Sequence, residues 1–555
     1  MNLTRLALLF YCACPTLAFG QAVLTNGVID TVVPGTPMAQ ALAFDAQGII
    51  TAIGSNAEVI AAAGPDARVI DLQGQMVLPG FQDAHLHLIE AGVNQILCEF
   101  ESFDTLDNTR AAVEDCAATS ETEWVLGSGV SMTNLLDQSD DPIALLDDIS
   151  PDRPVLILDD IGHGAWASTV ALQAAGYDTL DGNPPGGVIL RDAQGKPNGV
   201  VLENAQQKLR NLAFPDTPEN VEFAYDSMVP TLQLMAENGI TTVSDAGGFW
   251  PQGHVKVWAM ALAKDTLTVR ASNALYVYPD MDFETQIAAL RALYSNDAKS
   301  LLRFNQAKLY VDGILEQRTG AVLKPYLPGE GIDHGFPSGF EYFGADLLNR
   351  YSVALADLGF QLHYHVTGDR GARMALDAIA QSDPAPGPHR LTHLYLLDQA
   401  DYPRFKELGV VADFQLAPSS LDPDYTDFIR DFIGDRADQM MPAAALAATG
   451  AQVVMSSDFD ADELSPLVKI QTALERASEG APDVQTAIAW MTINPARLLQ
   501  QDKTTGTLEV GKFADLVVID RDITAIPVDQ IAEAKVTATL LQGEPVFDAD
   551  RIFEE

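Results

Sequence analysis

Basic residues are scarce in this chain: 33 lysines and arginines stand against 77 aspartates and glutamates, a formal charge of −44. A surface of that sign repels phosphate backbones and anionic lipid, which argues against nucleic acid and membrane surfaces as partners. Its simplest role is solvation, as in a salty habitat. Long apolar runs are missing too. No segment after residue 20 approaches the ~20 apolar residues that a membrane span requires. Residues 1–20 read as a cleaved secretory signal: Arg5 gives a positive start, an apolar stretch begins at Leu6–Phe10, and Ala18-Phe19-Gly20 offers small residues before Gln21. Cys14 has Tyr11 where a lipid-anchor signal carries a small aliphatic residue, so an anchor is the weaker alternative. The expected mature protein is soluble and either periplasmic or secreted.

Cysteine is nearly absent, with four in the chain. Cys12 and Cys14 leave with the signal, so Cys98 and Cys116 remain as an even pair in an oxidising compartment and are expected to form a disulfide. Zinc ligation by this pair would need a Cys-x-x-Cys partner that the sequence lacks. Internal repeats and low-complexity tracts are absent as well.

The roughly 535 residues that remain exceed one ordinary domain, and predict a large barrel with appended modules. Residues 21–78 read as short strands broken by turns, among them Ala41-Leu42-Ala43-Phe44 and Gly48 to Gly54, as in a small β-sandwich. Residues 499–555 have the same character, with a turn and buried strand over Gly506–Asp520 and another strand over Thr537–Gly543. Between them, over 79–498, apolar runs alternate with helical patterns. Glu222 to Asn238 is amphipathic and Gly239 to Asp245 is the strand after it, the rhythm of a parallel α/β barrel. An excursion at about 95–220 interrupts this rhythm and contains a hairpin with turn chemistry at Gln194-Gly195. Long excursions after an early barrel strand lie over the active-site mouth.

The most informative words are strand-like and end in polar residues. In Asp83-Ala84-His85-Leu86-His87 the period of two sends both imidazoles to one side, where they can hold a divalent metal. Lys308, His365, His393 and Asp458 each end a short apolar run, where a barrel strand would deliver them to a shared mouth. The ordered set His-x-His, Lys, His, His, Asp resembles the amidohydrolase superfamily, and the surrounding words look like its YtcJ-like branch, amidohydrolase family 3. His365-Val366-Thr367-Gly368-Asp369, Asn494-Pro495-Ala496 and Gly511-Lys512-Phe513-Ala514-Asp515-Leu516-Val517-Val518 carry that resemblance. It implies a (β/α)8 TIM-like barrel, with one small β-sandwich assembled from both chain termini.

The resemblance also implies a metal site of His85, His87, Lys308, His365, His393 and Asp458, holding one or two divalent ions. Zinc is the first choice, with nickel, manganese and iron open. Lys308 cannot ligate as an ammonium; it joins by losing its proton or by carboxylation to a carbamate that bridges two metals, the form the resemblance implies. Of His363 and His365, the second lies nearer the mouth and is the ligand, while His363 packs one layer below. Asp458 is expected to take the proton of a metal-activated water and pass it to the leaving nitrogen, as general base and then acid. Its bland alternative is a helix cap before Ala461.

Two further residues are candidate substrate contacts. His163 lies in a word resembling the family's Gly-His-x-x-Trp-x-Asn-Ser, with Ala167 where Asn is usual; it is an oxyanion donor or substrate contact, or else a structural histidine. Arg318, after Asp312-Gly313, is either a clamp for a substrate carboxylate or an ordinary loop arginine. His254, His334 and His389 receive no role. The function expected is hydrolysis of a non-peptide amide or cyclic amide in a small molecule, by a monomer or homodimer. The alternatives are an ester, lactone or phosphotriester hydrolase on the same site, and a non-catalytic exported binding or regulatory protein. The intact six-residue set argues against the last.

Overall fold

The computed structural model describes residues 21–329, 331–382, 387–476 and 479–553. The signal read over residues 1–20 lies outside the described residues. Eight parallel strands form a nearly closed barrel, in the order Phe81–Leu86, Ile240–Asp245, Arg270–Tyr276, Leu302–Tyr310, Gln361–Val366, Arg390–His393, Val411–Phe414 and Gln452–Met455. These strands are buried on both faces, so their sequences read as apolar runs punctuated by the polar residues of the interior. The α/β barrel expected from the sequence is the fold observed.

The helix before the second barrel strand illustrates the local logic. Thr217 caps Pro218–Glu237 by accepting the Asn220 N–H, and Pro218 occupies the first turn, where its missing N–H costs nothing. Val221, Met228, Leu232 and Met235 recur at helical spacing on the buried face. Gly239 then turns the chain at φ 74°, and a Cβ there would meet Val517 Cγ2 at 2.5 Å, so both conformation and space call for glycine.

Between the last strand and the first, the seam is bridged by the backbone: Asp458 donates its N–H to His85 O at 2.8 Å, and His87 donates to Phe459 O at 2.6 Å. These two bonds fix Asp458 against the His-x-His segment.

Both ends of the described chain build the sandwich. One sheet runs Ile50–Gly54, Ala41–Phe44, Ala22–Thr25, Arg68–Asp71; the other runs Val28–Ile29, Met76–Pro79, Leu516–Ile519, Val536–Leu541, Glu544–Asp548. Phe44, Val77, Leu516 and Leu540 pack between them. Buried Asp515 accepts two bonds from Arg270 of the third barrel strand, at 2.6 and 3.2 Å, and so pins sandwich to barrel.

Residues 98–203 carry a six-stranded mixed sheet, ordered Gly187–Arg191, Pro197–Glu203, Gly164–Ala167, Val155–Asp159, Val125–Val130, Cys98–Glu99. A disulfide joins Cys98 on its edge strand to Cys116 on the helix Leu106–Thr119. The expected hairpin is present, with Gly195 at φ 80° in its turn. This sheet reaches the barrel mouth through Glu203, which accepts from Tyr342 Oη at 2.6 Å, and through Asp159, which accepts from Gln317 at 2.6 Å.

Candidate active site

Register brings the polar strand ends together. Lys308 pairs with His363 and Tyr310 with His365 across adjacent strands, and Val366 pairs with His393 on the next. His393 and Asp458 leave their strands in left-handed conformations, φ 76° and 59°. Such backbone costs of order 1–3 kcal/mol per residue, so the surrounding fold must impose it. It aims both side chains at the first strand. Asp458 Oδ1 lies 3.2 Å from His85 Nε2 and 3.4 Å from His87 Nε2, and Oδ2 lies 3.6 Å from His393 Nδ1. Lys308 Nζ stands 3.3 Å from His85 Nε2. His365 packs beside His393, ring centroids 4.4 Å apart, and stacks on Tyr310 at 4.3 Å. The carboxylate of Asp458 thus faces imidazoles rather than capping a helix; its backbone carbonyl takes the Ala461 N–H instead.

The electrostatics of this cluster fit a cation. Burial lowers His85 and His365 well below the ordinary histidine range, and brings His393 down to about 3, leaving neutral rings with free lone pairs. Nδ1 of His365 is buried with no hydrogen-bond partner, and Oδ1 of Asp312 is 3.9 Å away. Burial opposes charge on His87 as well, yet Asp458 and Glu90 outweigh it and push the ring up to about 10. Burial works to raise Asp458, but the imidazoles of His85 and His393 hold it well below the carboxylate range. Two carboxylates therefore demand positive charge at a point ringed by nitrogen lone pairs, the donor set of a divalent metal. Lys308 is brought down to about 7, chiefly by burial and further by the Arg390 guanidinium, with Asp458 opposing. An amine in that range is substantially neutral.

Among the described residues, two groups have donor atoms close enough for an ion: His85, His393 and Asp458, and His85, His363 and Asp413. The second is already committed to internal bonds. Arg390 donates to His363 Nδ1 at 2.8 Å, and His363 Nε2 sits 2.8 Å from His85 Nδ1. Asp413 accepts from Thr392 at 2.9 Å and Ser456 at 2.7 Å. This floor closes off the Nδ1 side of His85 and leaves Nε2 to the cluster.

Several residues here escaped the sequence reading. Glu90 Oε2 lies 2.8 Å from His87 Nδ1, and its other oxygen takes a bond from Arg210 of the insertion's last helix. Carboxylates of this kind orient ligating histidines. The spacing His87-x-x-Glu90 at a helix start was the available signal. His254, given no role, sits nearby, its Nδ1 donating to Gly247 O at 2.7 Å and its charge state coupled to Glu90. Tyr310, two residues after Lys308, was recoverable from strand period. Glu203, which holds His163 Nδ1 at 2.6 Å, carries no local signal.

A cavity of about 110 Å³ opens on the cluster, and His87, His163, His365, His393 and Asp458 line it. Burial opposes charge on His163 but Glu203 outweighs it and raises the ring above its ordinary value. Arg318 is not brought to this cavity: its guanidinium donates to Leu327 O at 3.1 Å and lies over the Tyr326 ring. A clamp on a substrate carboxylate is therefore not what its placement supports.

Barrel, sandwich and a histidine–carboxylate cluster at the strand ends form the architecture against which the known proteins compare. The chain belongs to the amidohydrolase family, whose model matches residues 68–547. It is 26% identical to the N-substituted formamide deformylase of Arthrobacter pascens, over 94% of this chain and 97% of that protein. It is likewise 26% identical to the protein named "Putative amidohydrolase YtcJ" of Bacillus subtilis, over 95% and 99% of the two chains. Among solved structures, a metal-dependent hydrolase of Pyrococcus horikoshii superposes with a TM-score of 0.71 at 20% identity, covering 92% of this chain and 99% of that one. The chain is thus a hydrolase of this family, with His and Asp groups placed to bind metal.

Proposed function

We propose that the protein hydrolyses the C–N bond of a small non-peptide amide, linear or cyclic, with Asp458 as general base and then acid. The observation that carries this reading is the meeting of His85, His87 and His393 around Asp458, at 3.2–3.6 Å, on the floor of a cavity. His85, His87, Lys308, His365, His393 and Asp458 would hold one or two divalent ions, zinc first. Bound there, such an ion makes water acidic enough to ionise near neutral pH and polarises the substrate carbonyl.

The chain's own groups do the rest. Asp458 accepts the proton of the attacking water and returns it to the leaving nitrogen, so that an amine departs. His163, anchored by Glu203, offers its other ring nitrogen to the cavity and donates to the oxyanion that develops on the carbonyl oxygen. Glu90 fixes the ring of His87, and Tyr310 fixes that of His365. Lys308, as the neutral amine, would add CO2 and release one proton to become a carbamate, an anionic oxygen donor for the site.

The acyl half of the substrate is small. The cavity is well below the ~300–1,000 Å³ of sites for drug-sized ligands, and the Arthrobacter relative is named for removing a formyl group. Export to an oxidising compartment belongs to the same reading, supported by the Cys98–Cys116 disulfide.

The test is elemental analysis of purified protein, followed by turnover of a panel of N-alkylformamides, acetamides, lactams and matched esters. At least one equivalent of a divalent metal and hydrolysis of an amide are expected. Less than half an equivalent after reconstitution, or turnover confined to esters, would overturn the proposal.

A further inference from the structure

The wall of the cavity opposite the barrel comes from the insertion and is acidic. The strand Val155–Asp159 ends there, and Asp159 and Asp160 both line the cavity. Asp159 is 5% exposed. Its Oδ2 accepts from Gln317 Nε2 at 2.6 Å, whereas Oδ1 is buried without a hydrogen-bond partner. Burial, joined by the charge of adjacent Asp160, pushes Asp159 up to about 7, against the opposing charge of His163 and the bonds from Gly164 and Gln317. The one lysine or arginine among the lining residues, Arg210, is bound to Glu90, and His163 is bound to Glu203. Two neighbouring carboxylates therefore line the cavity with His163, itself held by Glu203, as the one cation acting on Asp159, in a chain of charge −44 whose field draws further cations in.

We propose that Asp159, assisted by Asp160, is a subsite for a cationic group on the amine half of the substrate, an ammonium or guanidinium. The proposal rests on the amide-hydrolase reading for its chemistry, since the scissile carbonyl must face Asp458 and the amine half then extends toward the insertion. A neutral N–H donor would satisfy Oδ1 but leave two like charges side by side; a cation answers both. Charge-assisted bonds to a carboxylate that is already desolvated are the strong ones.

The experiment uses metal-loaded protein and two series of ligands: N-(ω-aminoalkyl)formamides with two to five methylenes, and isosteres in which a methyl group replaces the ammonium. Calorimetry reads binding and kcat/KM reads turnover. At least one chain length is expected to bind tenfold or more tightly than its isostere, with kcat/KM following. In Asp159→Asn that preference should shrink to under threefold. Asp160→Asn, on a partly exposed position, should reduce it by an intermediate factor and so decides the matter if the first variant does not fold. No preference at any chain length, or a preference that survives the double variant, overturns the subsite. So does stoichiometric calcium binding lost in Asp159→Asn without any ammonium preference, which would make it a second metal site. Binding preference without turnover overturns the amide-hydrolase reading and leaves the subsite; turnover without preference does the reverse.

Discussion

Glu90 is the residue whose charge supports metal affinity and folding together. Its carboxylate spans two buried partners, His87 Nδ1 at 2.8 Å and the Arg210 guanidinium, which is 7% exposed. Arg210 and the imidazoles of His87 and His254 together hold Glu90 down to about 2 against the pull of burial. Glu90→Gln keeps the shape and both contacts but withdraws the charge. Loss of such a partner costs a ligating histidine about 10–100-fold in metal affinity, or about 1.4–2.8 kcal/mol at 1.4 kcal/mol per tenfold. Arg210 would also lose its counter-ion. Deleting one partner of a buried pair costs ~3–5 kcal/mol, an upper bound here because glutamine still accepts a bond. The assay is zinc competition against a calibrated chelator, with thermal unfolding of metal-free protein in parallel. Both quantities should fall. A metal-free Tm that drops while zinc affinity stays within threefold of wild type would refute the argument, leaving Glu90 as a partner of Arg210 alone.

Lys308→Ala should lose metal and activity together, and short carboxylic acids should restore part of the activity by filling the carbamate's place; metal content and rescue kinetics check this. His163→Ala should keep its metal while kcat falls by about 10²–10³-fold, the effect of removing one oxyanion donor; steady-state kinetics beside elemental analysis would expose an unchanged kcat. Thiol titration of unfolded, unreduced mature protein should find no free thiol. Removing the disulfide with Cys98→Ala/Cys116→Ala should lower stability by ~3 kcal/mol for a loop of this length, read by denaturant unfolding.

The barrel and most of the cluster were legible because strand ends have a fixed address. His85, Lys308, His365 and His393 each close an apolar run, and parallel strands deliver their C-terminal residues to one mouth. His363 was legible as well: period two puts it below His365, where Arg390 and His85 satisfy its nitrogens. What escaped depends on contacts between distant segments. Glu90 gains its meaning from Arg210, 120 positions away, and His163 from Glu203, 40 positions on. The insertion's sheet resisted reading because its strands are short and mixed in direction, down to two residues at Cys98–Glu99. Arg318 was legible only as a choice between an anion clamp and a loop arginine. Nearness in sequence to Asp312 suggested the mouth, but Arg318 adopts φ 61° and its side chain turns to Leu327 and Tyr326.

The central claim, that Asp458 moves the proton, is tested most directly by kinetics and metal content of Asp458→Asn on the same sample. Asparagine still offers an oxygen to the site but cannot accept the water's proton. The variant should fold, keep most of its metal through His85, His87, His365 and His393, and lose kcat and kcat/KM together by at least ~10²–10⁴-fold. Near-normal turnover with metal in place would contradict the account, and would move the search for the base to His163.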